Sequence, residues 1–270
     1  DYPPFSKRYF KIGSIEITRG CPFACYFCQT SSIFGTKMRH RTVENVCKYT
    51  QILKKRMPDN GRTLHMRFIT PNGFLYGSKD GKINYSILEK LFQGVRDIIG
   101  PEGMLFLGSF PSEVRPENVN RRTLDLLTKY CDNDKLIMGA QSGSNRVLKS
   151  CHRGHRVEDV NNAVELCEEY ALVPEVDFIF GLPKETPEDV EKTIELMEFV
   201  AKKGGKIHAH TFMPLPGTAF HHEKTRKLEK SLVTKIEYLT GKEKLYGTWR
   251  KQEKLANKIY KKLQNIDKNR

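Results

Sequence analysis

The chain has 270 residues, of which 38% are hydrophobic, and this length suits one large α/β domain or two smaller ones. It contains no apolar run of about 18 residues, which argues against a membrane span, and no apolar N-terminal segment that would indicate a signal peptide. Of the net charge of +14, residues 221–270 contribute +9, from 15 Lys and Arg against 6 Asp and Glu. This basic segment predicts either a solvated helical surface or contact with a phosphate-rich partner such as RNA.

The chain has seven cysteines, an odd number, whereas disulfide frameworks usually occur in short secreted chains with even numbers. Three of them, Cys21, Cys25 and Cys28, lie within eight residues, and the other four are scattered. We therefore expect a reduced, cytoplasmic compartment, in which the thiolates are free to hold a metal.

Strand-like and helix-like patterns alternate along the chain. Strands are predicted at residues 12–18, 64–70, 104–109, 135–140, 173–180 and 206–213. Helices are predicted at residues 43–56, 83–99, 116–130, 157–171 and 186–203, where apolar residues recur at helical spacing. The last helix begins with Thr186 as N-cap and Pro187 at N1, and it ends before a pair of glycines.

This alternation is typical of a parallel sheet with right-handed crossovers. Eight strand–helix units complete a barrel of about 250 residues, so six units in about 200 residues predict an α/β fold with a partial (βα)6 TIM-like barrel. After Pro216 the composition becomes helical and Lys-rich. We predict a partial-barrel domain at residues 1–215 and a basic helical C-terminal extension at residues 216–270.

The clustered cysteines follow the first predicted strand, at the edge of a parallel sheet where ligands bind. Three thiolates do not complete a structural zinc site, which usually takes four ligands. They can hold three irons of a [4Fe–4S] cluster and leave the fourth iron open to a small molecule, with aromatic neighbours that shield the cluster from water. The alternative is a zinc knuckle that takes a fourth ligand such as His40.

The spacing Cys21-x3-Cys25-x2-Cys28, with an aromatic side chain at Phe27, resembles the signature of the radical S-adenosylmethionine (radical SAM) enzymes. In that family, the open iron binds the amino and carboxylate groups of S-adenosylmethionine, and reductive cleavage of the sulfonium gives a 5′-deoxyadenosyl radical. The resemblance implies a [4Fe–4S] cluster held by the three cysteines, S-adenosylmethionine as a cofactor contacted by Phe27 among others, and an electron donor such as ferredoxin or flavodoxin.

The segments that follow the second and third predicted strands depart from the family's usual residues. The stretch TPNGF lies where the family has a glycine-rich turn that contacts the methionine amino group, which implies cofactor contacts by Thr70, Asn72 and Gly73. It lacks the usual glycine-glycine-glutamate. The third strand often ends in a ribose-binding glutamate, and here a hydroxyl of Ser109 or Ser112 would substitute for it.

The segment GAQSGSNRVLKSCHRGH resembles the one after the fourth strand in the branch of cobalamin-binding radical enzymes, methylthiotransferases and the coproporphyrinogen oxidase type. Gln141 and Arg153 match that branch's cofactor contacts, and Arg153 would clamp the methionine carboxylate. The stretch VDFIFGLPKET resembles the family's Asp-x3-Gly-Leu-Pro-x-Glu-Thr, which makes Asp177 a further polar contact to the cofactor.

His208 and His210 alternate on the last predicted strand, so both side chains lie on one face of the sheet. If that face is the barrel interior, the two histidines are candidate catalytic residues that bind substrate, donate a proton or touch a second cofactor. Buried histidines that are hydrogen-bonded to their neighbours are the alternative.

Three functions are compatible with these patterns. The resemblance favours an enzyme of the cobalamin-associated branch that methylates an unactivated carbon or forms a carbon–carbon bond or ring, with cobalamin held by a domain outside this chain. The second is an RNA-modifying methylthiotransferase-like enzyme, which the basic tail would serve. The third is a non-catalytic, metal-stapled nucleic-acid-binding module. The sequence does not distinguish a small-molecule, lipid or macromolecular substrate.

Overall fold

A computed structural model of the chain describes residues 3–6, 13–57 and 63–268. The helices in these residues are α1 (Gln29–Phe34), α2 (Val43–Arg56), α3 (Tyr85–Ile99), α4 (Arg121–Tyr130), α5 (Asn145–Ser150), α6 (Val157–Glu169), α7 (Pro187–Lys202), α8 (Lys230–Gly241) and α9 (Trp249–Lys268). The strands are β1 (Ile15–Glu16), β2 (Thr18–Arg19), β3 (Arg39–His40), β4 (His65–Ile69), β5 (Met104–Phe106), β6 (Lys135–Gln141), β7 (Val173–Phe180), β8 (Lys206–Thr211) and β9 (Leu245–Tyr246).

The six predicted strands lie side by side in chain order. Strands β1, β4 and β5 form one parallel sheet, and β6, β7, β8 and β9 form a second. A parallel bridge between Val114 and Met138 joins the segment after β5 to β6, and the Ile137 N–H donates to the Gly108 carbonyl at 2.7 Å. The helices that follow the strands make this an α/β arrangement with parallel sheets, which confirms the predicted fold class.

Several element boundaries differ from the prediction for local reasons. The first predicted strand is divided into β1 and β2, because β2 leaves the parallel sheet to pair with β3 in an antiparallel ribbon; residue 12 lies outside the described residues. The helix predicted from residue 116 starts as a 3-10 turn at Pro116–Asn118. Its α-helical part begins after Asn120, whose side chain accepts the Thr123 N–H at 3.1 Å as an N-cap.

The two faces of β7 differ in character, and this difference places the site. Val176, Phe178 and Phe180 are buried in the hydrophobic core. The side chains between them point to the opposite face, because successive residues of a strand alternate. That face carries Glu175 and Asp177, so the inner side of this sheet is polar, whereas the outer side packs on the helices.

The C-terminal segment packs against the same core as the barrel. Buried side chains of α8, β9 and α9 contribute to that core: Leu232, Ile236, Leu239, Leu245 and Trp249. Strand β9 pairs in parallel with β8 and was not predicted, because it spans two residues only. The division at residues 215/216 stays a prediction. Among the residues that the structure describes, every helix is too short or too polar to cross a membrane.

Glu185 predicts a pH dependence of stability. Its side chain is buried in the loop between β7 and α7, and burial, followed by the charge of Asp189, raises its pKa from 4.5 to about 7. Because the pKa of Glu185 is higher in the folded than in the unfolded state, its contribution to the free energy of unfolding is fully present below about pH 4.5. This contribution is lost as the pH rises through about 7. We expect wild type to lose about 3 kcal/mol of unfolding free energy relative to Glu185→Gln across this range.

Urea unfolding of both proteins at pH 4.5 and pH 8 measures this difference. Glu191→Gln, at an exposed position of α7, serves as the matched control and should follow wild type. A gap between wild type and Glu185→Gln that is equal at both pH values would show that Glu185 is ionised normally in the folded protein.

Candidate active site

The three clustered cysteines lie on the loop between β2 and α1, and backbone hydrogen bonds hold both ends of this loop. Gly20 begins it with a φ of +89°, and a Cβ there would lie 2.3 Å from the Lys37 carbonyl oxygen, so only glycine fits. The Cys21 N–H donates to the Gly35 carbonyl at 3.1 Å, and the Cys28 N–H donates to the Cys25 carbonyl at 3.0 Å. The loop therefore has a defined path before any ligand binds.

All three cysteines line one cavity of about 380 Å³ at the carboxyl ends of the strands. Residues predicted as cofactor contacts line it too: Phe27, Thr70, Gln141, Arg153 and Asp177. The topology thus brings together side chains that are more than 150 residues apart in the chain, as a parallel α/β sheet does at this edge.

The cysteines do not fit a single metal ion. Sulfurs 2.3 Å from a tetrahedral zinc would stand about 3.8 Å apart. Among the described residues, no group with ligand atoms within 4.8 Å of one another contains these three cysteines. His40 cannot complete a zinc site, because its two ring nitrogens are hydrogen-bonded to the Thr18 hydroxyl at 2.9 Å and the Ser78 carbonyl at 2.8 Å. Three sulfurs that do not all lie within 4.8 Å of one another are compatible with the ligands of a [4Fe–4S] cluster.

Two arginines lie beside the buried Cys25. Its Sγ is 3.8 Å from Nη1 of Arg115 and 3.7 Å from Nη1 of Arg153. Arg115 is 3% exposed, its Cζ lies 3.6 Å from the centre of the Phe23 ring, and burial lowers its pKa. Buried guanidinium groups favour a neighbouring anion, so this pair suits a thiolate or an anionic cluster at Cys25.

Gly139, Gln141 and Arg153 form a second part of the cavity wall. Gln141 lies at an irregularity in the pairing of β6 with β7, and its backbone φ is +71°, a value that residues other than glycine rarely adopt. A Cβ on Gly139 would lie 2.1 Å from Nε2 of Gln141 and 2.8 Å from Nη2 of Arg153. The buried Nε of Arg153 has no hydrogen-bond partner. An unpaired guanidinium donor at a cavity wall suits a carboxylate, such as that of S-adenosylmethionine.

Three other predicted cofactor contacts, Asn72, Gly73 and Ser109, are not among the residues that line this cavity. The amide Nδ2 of Asn72 donates to Oδ1 of Asn118 at 2.6 Å, and the Ser109 hydroxyl accepts from Arg67 Nη1 at 2.7 Å. A Cβ on Gly73 would lie 3.0 Å from the Ser112 carbonyl oxygen. The cofactor contacts of Asn72, Gly73 and Ser109 therefore stay predictions.

The two predicted histidines lie behind Asp177 on the inner face of the sheet. His208 Nδ1 is 3.0 Å from Oδ1 of Asp177, and His210 Nε2 is 3.8 Å from the same oxygen. Burial raises the pKa of Asp177, but the two histidines outweigh burial and hold it below its ordinary value. Asp177 therefore presents a carboxylate at the cavity, with both histidines next to it.

Glu113 and Arg115 are site residues that the sequence interpretation missed. Both line the cavity from the extended segment that follows β5, and burial is the main cause of the raised pKa of Glu113. Two charged residues that alternate shortly after the third predicted strand are a signal for such a role. No predicted element covers residues 110–115, so this alternation carries no prediction.

Comparisons with known proteins agree with this geometry. The family model "Radical SAM superfamily" matches residues 15–197. The chain is 26% identical to the uncharacterized protein MJ1620 of Methanocaldococcus jannaschii, over 80% of this chain and 43% of that protein. It is 28% identical to a tRNA-2-methylthio-N(6)-dimethylallyladenosine synthase of Ehrlichia ruminantium, over 89% of this chain and 52% of that one.

Among solved structures, the radical S-adenosylmethionine methyltransferase TsrM from Kitasatospora setae, with cobalamin and a [4Fe–4S] cluster bound, shares the fold. Its TM-score is 0.62 at 20% identity, over 78% of this chain and 39% of that one. The chain spans about half the length of the curated relatives it matches. The family model covers most of the chain, and the chain belongs to the radical SAM superfamily.

Proposed function

We propose that this chain is the radical-generating part of an enzyme that methylates an unactivated carbon or forms a carbon–carbon bond or ring on one. One observation carries the proposal: the three cysteines and Arg153 line the same cavity, and the buried Nε of Arg153 has no hydrogen-bond partner. The family implies a [4Fe–4S] cluster and S-adenosylmethionine, and the thiols and the guanidinium are the groups that fit them.

The side chains have separate roles in this scheme. Cys21, Cys25 and Cys28 would hold three irons of the cluster, which when bound would supply one electron for the cleavage of S-adenosylmethionine to methionine and a 5′-deoxyadenosyl radical. Arg153 holds the methionine carboxylate, and Gly139 leaves the space that this requires. Phe27 packs against a small apolar cluster and limits the access of water to the cavity where this cluster lies. The cluster is formed by Val147, Cys151, Leu182, Phe212 and Phe220.

The outcome of the reaction is inferred from the neighbouring proteins. TsrM is a methyltransferase with cobalamin bound, and the segment from Gln141 to Arg153 resembles the cobalamin-associated branch. We infer that cobalamin would come from a domain outside this chain, and the electron from ferredoxin or flavodoxin. All seven cysteines are free thiols, which supports a cytoplasmic location.

A second candidate is an RNA-modifying, methylthiotransferase-like enzyme. The curated synthase relative supports it, and α9 presents exposed lysines at Lys251, Lys254, Lys258, Lys261 and Lys262. The four cysteines outside the loop, Cys47, Cys131, Cys151 and Cys167, lie on or beside separate elements of the described structure. A second cluster would therefore come from a domain outside this chain, as cobalamin would for the first candidate.

Replacing any one of Cys21, Cys25 and Cys28 by Ala should abolish 5′-deoxyadenosine formation. The measurement is anaerobic reconstitution with iron and sulfide, followed by S-adenosylmethionine and dithionite, with chromatographic detection of the nucleoside. Cys47→Ala, a lone cysteine on α2, is the matched control and should retain wild-type iron content and activity. Equal nucleoside formation by wild type and the three variants, or none by wild type, would refute the proposed chemistry.

Gly139→Ala should weaken S-adenosylmethionine binding at least about tenfold, or about 1.4 kcal/mol. The added methyl group displaces both Gln141 and Arg153. Because Arg153 also contacts Cys25, the iron content of the reconstituted variant is measured to show that the cysteine loop is preserved. Gly241→Ala, where a Cβ meets nothing within 4 Å, is the control. Equilibrium dialysis with the reconstituted proteins gives the affinities. Unchanged affinity in Gly139→Ala would remove Gln141 and Arg153 from the cofactor site.

The RNA hypothesis predicts tRNA binding that weakens steeply with salt, because each phosphate contact releases counterions. Filter binding at several salt concentrations tests it, with a variant in which Lys254, Lys258 and Lys261 are replaced by Gln. A shallower salt slope in the variant would favour the RNA enzyme. Binding that neither salt nor the substitutions affect would argue against the RNA-modifying enzyme and leave the first candidate as the remaining one.

A further inference from the structure

Asp177, His208 and His210 bring their ligand atoms together on the inner face of the sheet, and Asp177 also lines the cavity of the cysteines. His208 Nδ1 lies 3.0 Å from Asp177 Oδ1 and 3.2 Å from His210 Nε2, and the third side of this triangle is 3.8 Å. Among the described residues, this is the one group of three Cys, His, Asp or Glu side chains whose ligand atoms lie within 4.8 Å of one another.

The triangle has the dimensions of a metal site. Ligand atoms about 2.1 Å from a tetrahedral ion stand about 3.4 Å apart, and cis ligands of an octahedral ion stand about 3.0 Å apart. The observed sides of 3.0, 3.2 and 3.8 Å cover this range. Two imidazoles and one carboxylate are a donor set that binds zinc and the other divalent first-row metals.

Protons serve the two short contacts of His208 Nδ1 poorly. If Nδ1 of His208 carries a proton for Asp177, it cannot accept one from His210 Nε2, and it reaches the His210 lone pair only as a shared, bifurcated donor. If it accepts from His210, its lone pair faces the Asp177 carboxylate at 3.0 Å, with no proton between them. A divalent cation, in contrast, attracts all three lone pairs.

Neighbours from the C-terminal segment orient both rings. The amide nitrogen Nε2 of Gln252 on α9 lies 3.2 Å from Nδ1 of His210, and the Tyr246 ring of β9 stacks on His208 at 4.6 Å. Metal-binding histidines usually donate their other ring N–H to an acceptor. In this structure the Gln252 oxygen accepts the Thr211 N–H at 2.8 Å instead. Metal binding through Nε2 of His210 therefore requires the Gln252 amide to turn its oxygen towards the Nδ1–H of His210.

We propose that Asp177, His208 and His210 bind one divalent first-row transition metal ion, independently of the iron–sulfur cluster. Asp177 lines the cavity, so the open coordination positions of the ion lie on the cavity side. There the ion would bind an oxygen or nitrogen atom of the substrate. The site goes beyond the proposed radical function and does not require it.

The test uses zinc as the probe with the cluster-reconstituted protein, so that the cysteines are already occupied. After equilibration with zinc sulfate and desalting, wild type should hold one zinc per chain in addition to its iron. His208→Ala, His210→Ala and Asp177→Asn should lose zinc affinity more than about 100-fold, and Gln252→Ala about 10–100-fold, as loss of an orienting partner does. His65→Ala, on β4, is the histidine control and should bind as wild type does.

Iron content and far-UV circular dichroism of each variant show whether it has folded. Zinc K-edge absorption of the wild-type protein identifies the zinc ligands even if a variant does not fold. We expect nitrogen and oxygen neighbours at about 2.0–2.1 Å, with imidazole scattering. No bound zinc, zinc retained by all three folded variants, or a sulfur-only shell would overturn the proposal. These measurements do not involve 5′-deoxyadenosine. The proposal of radical chemistry and the proposal of a metal site can therefore be refuted independently of each other.

Discussion

A buried and a half-buried guanidinium beside one thiol form the interaction on which the cavity depends. Arg115 reaches Cys25 from the segment after β5, and Arg153 reaches it from the loop after α5. Burying like charges together is costly unless an anion offsets them. Glu117, which pairs with Arg115, supplies negative charge at that point, and an anionic cluster at Cys25 would supply more. The two arginine contacts connect the cysteine loop to the segment after β5 and to the loop after α5.

The inside of the barrel is divided by charge. Arg115 and Arg153 lie near the cysteines, whereas the carboxylates of Glu113 and Asp177 line the same cavity with the histidine pair behind them. A ligand with an anionic end would therefore bind with that end towards the arginines, and the remaining wall is suited to cations or hydrogen-bond donors. Residues Tyr246 and Gln252 contact the histidines, so the C-terminal segment is part of this interior as well as a basic outer surface.

The sequence predicts the strand order and the cysteine centre well, because period-two alternation and a spacing of three thiols are local signals. It does not predict residues whose roles depend on long-range packing. Glu113 and Arg115 look like an ordinary loop until the bridge at Val114 brings them to β6. Gln252 looks like one polar residue of a basic helix, and its contact with His210 arises only from the docking of α9 on β8. The special role of Gly139 likewise depends on the side chain of Arg153, fourteen residues later.

The central claim is that three cysteines hold an iron–sulfur cube and leave one iron to S-adenosylmethionine. Mössbauer spectroscopy of the ⁵⁷Fe-reconstituted chain, recorded with and without S-adenosylmethionine, tests it most directly. A [4Fe–4S] spectrum in which one iron alone changes on addition of the nucleotide is the predicted result. A spectrum of isolated iron, or a cluster that the nucleotide leaves unchanged, would contradict the claim.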